Sequence, residues 1–207
     1  MEKEEIEIIL ERISDLYRKY GIKSVTMDDA ARELGISKKT LYTFVRDKED
    51  LVKQVMIQEM YKMHHRFNGL ISEKQNAIEE LFEVNKQIKK MIREHSTTID
   101  YDLKKYFPSL YREIYEDTRQ NMYEAVLRNI KKGKEDGLFR EDLNEEVIAR
   151  LHVSRVMGMS ENPHFSIEEI TSDKVYNEIM VYHIRGMANE KGIQYLEENL
   201  DKLEHTD

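Results

Sequence analysis

A chain of 207 residues is long enough to bury a sizeable core, and its 33 Lys and Arg against 41 Asp and Glu leave a formal charge of −8, so a nucleic-acid surface, if there is one, must be local. Charged residues make up 36% and apolar ones 40%, with 8 Gly and only 2 Pro, a composition that predicts an all-α protein. No apolar run approaches the roughly 18–20 residues of a membrane span, the acidic start MEKEEIEIIL does not read as a secretion signal, and zero Cys excludes disulfides and thiolate chemistry and fits a reducing, cytoplasmic setting.

The first element is a helix over residues 2–20, with Ile6, Ile9, Leu10, Ile13, Leu16, Tyr17 and Tyr20 on one face and Gly21 as its stop. Thr26 is an N-cap answered by Asp29, and Met27, Ala30, Ala31 and Leu34 form the buried stripe of a short second helix. Gly35 supplies a left-handed turn. Ser37 caps a third helix, with Leu41 and either Phe44 or Val45 pointing inward. Asp47, with Asp50 at the third position, caps a fourth. That fourth helix carries Leu51, Val55, Met60, Met63, Phe67 and Leu70 on a drifting face.

Gly69, Ser72 and Asn76 predict a break, followed by a fifth helix to about Glu94 with Ile78, Leu81, Phe82, Asn85, Ile88 and Ile92. HSTTIDYDLKKYF reads as a short helix or turn. Pro108 suits the first position of a long helix to about Lys134, and Gly137 closes it. LFREDLN is a connector. Asn144 caps a helix with Val147, Ile148, Leu151 and Arg155, and Asn162-Pro163 breaks the pattern. Ser166 and Glu169 suggest a capped turn. A further helix carries Val175, Ile179, Met180, His183 and Met187. Gly192 precedes a last amphipathic piece with Ile193, Leu196, Leu200 and Leu203. No alternating strand pattern, repeat or low-complexity tract is present.

Charge is uneven along this series. Tyr17 to Lys48 holds eight basic residues (Arg18, Lys19, Lys23, Arg32, Lys38, Lys39, Arg46, Lys48) against Asp28, Asp29, Glu33 and Asp47. That segment is net +4, and the rest of the chain carries −12. Two short helices joined by a Gly turn, the second opening Ser-Lys-Lys-Thr, form a helix-turn-helix. Small Ala30 and Ala31 let the helices cross closely. A helix that enters a major groove about 12 Å wide, N-terminal end first, needs polar donors there, and Ser37, Lys38, Lys39, Thr40 and Thr43 supply them.

The stretch TMDDAARELGISKKTLYTFVRDKEDL, Thr26 to Leu51, resembles the TetR family of bacterial transcriptional regulators. The resemblance rests on Thr26, Ala30-Ala31, Gly35-Ile36-Ser37, Leu41-Tyr42, Phe44 and Lys48-Glu49-Asp50-Leu51, and more faintly on KGKEDGLFREDLNEEVIARL. It implies that Thr26, Tyr42 and Lys48 hold phosphates, and that Lys38, Thr40 and Thr43 face base edges. Lys39 stands where the family often has Gly, Ala or Pro, so it reads a guanine or binds phosphate. Asp28 is unfavourable beside DNA unless a neighbouring basic group pairs with it.

The expected architecture is an N-terminal three-helix DNA-binding domain, residues 1–47, and a larger helical ligand-binding and dimerisation domain, residues 48–207. The resemblance implies a ligand-responsive regulator, a repressor on a near-palindromic operator, with double-stranded DNA, an apolar or aromatic small-molecule effector and a second copy as partners, and no membrane. Met63, Phe67, Phe82, Met91, Tyr111, Tyr115 and Met122 are candidates to line the effector cavity, since Met adapts its shape and Tyr offers a polar tip. The helices at 144–160 and 173–189 are the expected dimer surface, with Arg155 and His183 as interface hydrogen-bonding groups. No catalytic, metal-binding or cofactor motif is present, and the adjacent His64 and His65 diverge on a helix. A different class of reading, a helical interaction or small-molecule-binding protein that keeps the helix-turn-helix as scaffold, is opposed by Lys38, Lys39 and Lys48.

Overall fold

The computed structural model describes residues 2–69, 75–94, 97–159, 162, 164–170 and 172–204. The described residues form twelve helices: α1 Glu2–Tyr20, α2 Met27–Leu34, α3 Lys38–Phe44, α4 Lys48–Asn68, α5 Ala77–Glu94, α6 Thr97–Tyr106, α7 Pro108–Glu135, α8 Glu145–Gly158, α9 Ile167–Ile170, α10 Asp173–Met187, α11 Glu190–Glu198 and α12 Asp201–Glu204. The all-α expectation is borne out. The nearest thing to a strand among the described residues is an isolated antiparallel bridge between Phe139 and Ala188. Leu70, Ser72, Pro163 and the side chain of Ile92 lie outside what is described.

Packing divides the chain into two compact units, one of Met1–His65 with Ser96–Thr118, the other of Arg66–His95 with Arg119–Asp207. This division falls elsewhere than the functional boundary expected at 47/48.

The first unit is built on Leu10, Ile13 and Tyr17 of α1, Ala30 and Ala31 of α2, Leu41 of α3, and Leu51, Val52, Val55 and Met56 of α4, with Leu103 and Leu110 from α6 and α7. The segment 97–106, open between helix and turn in the sequence, is a helix. The burial of α4 is confined to its first half. Met60 and Met63 are only half-buried, so the long apolar face expected along this helix is real only from Leu51 to Met56. Tyr20 departs from the expected face of α1. It is 53% exposed, with the Lys19 ammonium 5.0 Å over its ring.

The second unit packs Ala77, Ile78, Leu81 and Phe82 of α5 against Ile130 of α7, Phe139, Ala149 of α8, Met180, Ile184 and Met187 of α10, and Leu196 of α11. The connector after α7 contributes a fully buried aromatic, Phe139, and α7 accommodates it at Gly133. A Cβ there would lie 2.0 Å from the Phe139 ring. Gly192, expected before the last helix, lies inside α11, where a Cβ would stand 2.2 Å from the Leu138 carbonyl oxygen. Its amide is taken by the N-cap Asn189 at 3.0 Å. Asp136 accepts the Ala77 N–H at 2.8 Å and Asn129 donates to the Ala77 carbonyl at 3.0 Å, which fastens the start of α5 to α7.

Helix propensity favours Gly133→Ala by about 1 kcal/mol. The buried ring of Phe139 opposes it, and overpacking of this kind costs roughly 1–3 kcal/mol. Because the ring is enclosed on all sides, the steric cost is expected to win. Urea unfolding of the Gly133→Ala protein should show a lower midpoint with an unchanged slope.

Candidate nucleic-acid interface

Helix α2 starts from a complete capping box. The Thr26 hydroxyl oxygen accepts the Asp29 N–H at 3.1 Å, and the Asp29 carboxylate accepts the Thr26 N–H at 3.0 Å. The Thr26 hydroxyl also donates to the Asp29 carboxylate at 2.6 Å, and that bond together with the one from the Thr26 N–H holds the Asp29 carboxyl below its ordinary pKa. The helix ends at Gly35, φ 70° and ψ 25°. There the Gly35 N–H donates to the Arg32 carbonyl at 3.1 Å and the Ile36 N–H to the Ala31 carbonyl at 3.0 Å, a Schellman closure. A Cβ on Gly35 would meet nothing within 4 Å, so it is the left-handed backbone that requires glycine, not space. From α1, Arg12 donates to the carbonyls of Glu33 and Leu34 at the C-terminal end of α2, where a cation is favoured.

Helix α3 has seven residues. Ser37 caps it, its hydroxyl oxygen accepting the Thr40 N–H at 3.0 Å. Leu41 is fully buried beneath α3. Of the two candidates for the second anchor, Val45 is the deeper at 4% exposed, and Phe44 is half-buried against the same core. The opposite face is open: Ser37, Lys38, Lys39, Thr40, Tyr42 and Thr43 are all exposed, Tyr42 by 44%. Thr43 donates its hydroxyl to the Thr40 carbonyl at 2.7 Å, which fixes its rotamer. The structure thus brings every expected DNA-contacting residue of α3 onto one surface of the first unit.

Two residues that the sequence marked as basic are not free. The Lys38 ammonium lies 2.9 Å from the Asp28 carboxylate on α2, which raises its pKa. Asp28 therefore has the basic partner that the sequence required of it. Lys48, at the first position of α4, is half-buried and donates to the Lys23 carbonyl at 3.2 Å. Burial and the Lys23 charge lower its pKa, and Asp102 and Asp29 act against that. Lys39, by contrast, makes no ion pair or hydrogen bond among the described residues.

Asp102 is a neighbour of Lys23 and Lys48 that the sequence did not reveal. It sits on α6, 6% exposed, and accepts the Lys23 N–H at 2.7 Å. With Lys48 on the carbonyl of the same residue, both polar groups of the Lys23 peptide positions are fastened, one from α6 and one from α4. A link across 79 residues carries no local signal.

The expected effector residues fall in both units. Met63, Tyr111 and Tyr115 belong to the first, where Tyr111 packs on the core and the two tyrosine rings stand 6.2 Å apart. Phe67, Phe82, Met91 and Met122 belong to the second, and Phe82, 1% exposed, is a core side chain there. Two surface depressions of the second unit are lined instead mostly by charged residues, one by Lys134, Asp142 and Glu146 with Leu143, the other by Glu124, Arg128 and Lys131 with Leu127. Among the described residues there is no group of three or more His, Asp or Glu placed to hold a metal ion, and no helix long and apolar enough to cross a membrane.

Residues 9–55 match the family described as bacterial regulatory proteins, tetR family. The resemblance read from Thr26 to Leu51 is therefore borne out. No curated protein matches the chain. Among solved structures, a transcriptional regulator from Cytophaga hutchinsonii is similar with a TM-score of 0.75 at 19% identity, over 89% of this chain and 99% of that one. A gamma-butyrolactone receptor (an ArpA-like protein) has a TM-score of 0.63 at 15% identity, over 96% of each chain. CprB from Streptomyces coelicolor, a TetR family protein in complex with its operator sequence, has a TM-score of 0.60 at 16% identity, over 95% of this chain and 94% of that one. The fold is that of TetR-family regulators, an N-terminal helix-turn-helix followed by a helical C-terminal part.

The Ser37 cap holds the N-terminal end of α3, which is too short to be helical unaided. Ser37→Ala should lower stability by about 1 kcal/mol, within a range of roughly 0.5–2, whereas Ser37→Gly should cost only a few tenths. Denaturant titration of the two variants side by side checks both values.

Proposed function

We propose that this chain is a ligand-responsive transcriptional regulator that places α3 in the major groove of double-stranded DNA and acts as a dimer, as a repressor on a near-palindromic operator. The observation that carries the reading is the two-sidedness of α3: Leu41 is buried without remainder, and Lys38, Lys39, Thr40 and Thr43 are all exposed. A seven-residue helix offers few base contacts, so specific binding calls for two half-sites, about one duplex turn or roughly 34–36 Å apart in the simplest arrangement. The match of residues 9–55 to a family of regulatory proteins supports the same reading.

Neighbours named as gamma-butyrolactone receptors and as a ketosteroid regulator support a small, largely apolar effector. Of the expected lining, Phe67, Phe82, Met91 and Met122, which share the second unit, remain the proposal for it. The roles proposed at the DNA are phosphate contact by Thr26, Tyr42 and Lys48 and base-edge contact by Lys38, Thr40 and Thr43, with Ser37 at the helix start and Lys39 on either. A gel-shift on duplexes from the chain's own upstream region tests the function. Binding at one half-site only, with a protein that light scattering finds monomeric at micromolar concentration, would sink the dimeric form of it.

The Lys38–Asp28 pair gives a second, sharper expectation. In free protein Asp28 neutralises a lysine that DNA phosphate also attracts, and it places a negative charge beside the backbone. Asp28→Asn is expected to tighten binding to random duplex and to steepen the salt dependence by about one unit in the log–log slope. Lys39→Ala is expected to weaken binding. A loss of about 1–3 kcal/mol confined to the operator would assign it to a base, and an equal loss on random duplex, with the slope shallower by about one, to phosphate.

A further inference from the structure

The outer face of the second unit carries exposed apolar bulk. Leu151 on α8 is 61% exposed and Tyr182 on α10 is 76% exposed, with Val147 one turn before Leu151. Ser154, Gly158 and Gly186 continue these stripes, and a Cβ on either glycine would meet nothing within 4 Å. At the seam of the two helices lies a polar cluster. The His152 and His183 rings stand 4.2 Å apart, and the Arg155 guanidinium is 3.1 Å from Nδ1 of His152. Arg is donor only, so Nδ1 accepts and the His152 proton resides on Nε2.

Among the described residues no carboxylate acts on this cluster. Burial and the Arg155 charge push the His152 pKa down to about 4, and burial, with His152 and Arg155 beside it, pushes His183 lower still, so both rings are neutral. Burial lowers the Arg155 pKa, and only the Tyr182 hydroxyl acts against that. The Nε of Arg155 is buried with no acceptor among the described residues. A half-buried guanidinium without a carboxylate is an expensive arrangement unless something outside the subunit completes it. Arg155 lies one turn beyond Leu151, so its head is at the margin of the outer face.

Glu178 has the complementary defect. It lies on α10 one turn before Tyr182, is exposed, and makes no ion pair or hydrogen bond among the described residues. The acids at the start of α8 are already engaged, Glu145 by Lys134 at 2.7 Å and Glu146 by Arg150 at 3.5 Å. We propose that in the dimer Glu178 of a second copy closes on Arg155, so that each subunit supplies the carboxylate that the other's cluster lacks. This rests on the dimeric reading above. A two-fold interface makes the contact twice, and its apolar surroundings are Leu151 and Tyr182. Truncating one member leaves the other charge buried and unpaired, which makes such pairs strong determinants of association.

The test is a charge swap read by sedimentation equilibrium, with circular dichroism to confirm folding. Glu178 is exposed, so Glu178→Gln and Glu178→Arg leave the subunit intact. Each is expected to raise the dimer dissociation constant tenfold or more. Arg155→Glu should do the same, and Arg155→Glu combined with Glu178→Arg should return it to within about threefold of the parent. A dimeric parent whose dissociation constant is indifferent to both Glu178 substitutions, or a double variant no tighter than the singles, overturns the contact while leaving the dimer. A parent monomeric at all concentrations overturns the dimer and the contact together.

Discussion

A helix of seven residues does not persist in water by itself, because too few hydrogen bonds repay the ordering of its first turn. The shape of α3 is therefore imposed from outside, and the proposed DNA-binding surface depends on how firmly that is done. Ser37 satisfies an amide at its start, Leu41 and Val45 anchor its underside, and the left-handed Gly35 sets the angle at which it leaves α2. The small Ala30 and Ala31 let α2 lie close. Polar side chains on the open side are displayed because the apolar ones behind them are held, which links the core of the first unit directly to what that surface can read.

Electrostatics in the same unit are arranged by pairing rather than by bulk charge. The chain carries −8, yet from Tyr17 to Lys48 eight basic residues face only four acidic ones. Of these, Lys38 is screened by Asp28 and Lys48 is drawn down onto the Lys23 carbonyl. Exposed ion pairs contribute little stability, on the order of 0–1 kcal/mol. The Lys38–Asp28 pair therefore does more to neutralise Lys38 than to hold the fold. Asp102 plays a different part. Buried on α6 and bound to the α1–α2 turn, it positions the segment that Lys48 also grips.

The second unit uses glycine where close approach decides the packing. Gly133 admits the Phe139 ring against α7, and Gly192 admits the Leu138 carbonyl against α11. Both fix the turn after α7 so that the chain re-enters at α8 in one orientation. That orientation leaves Leu151 and Tyr182 outward and folds His152, His183 and Arg155 into the seam beside them.

Much was legible in the chain itself. Caps at Thr26, Ser37 and Asn144, stops at Gly35 and Gly137, and the three-four spacing of apolar residues are local signals. They determined the helices and the helix-turn-helix because each depends on neighbours within a turn or two. Phe44 against Val45 as the deeper anchor was not decidable, since adjacent residues share the flank of one helix and only the facing core chooses between them. The shortened apolar face of α4, the burial of Phe139, the Asp102 clasp across 79 residues and the pairing of His152 with His183 came from tertiary structure alone. Those features join segments far apart in the chain. Periodicity and capping report what one helix can bury, but which distant group meets that surface is set when the helices pack.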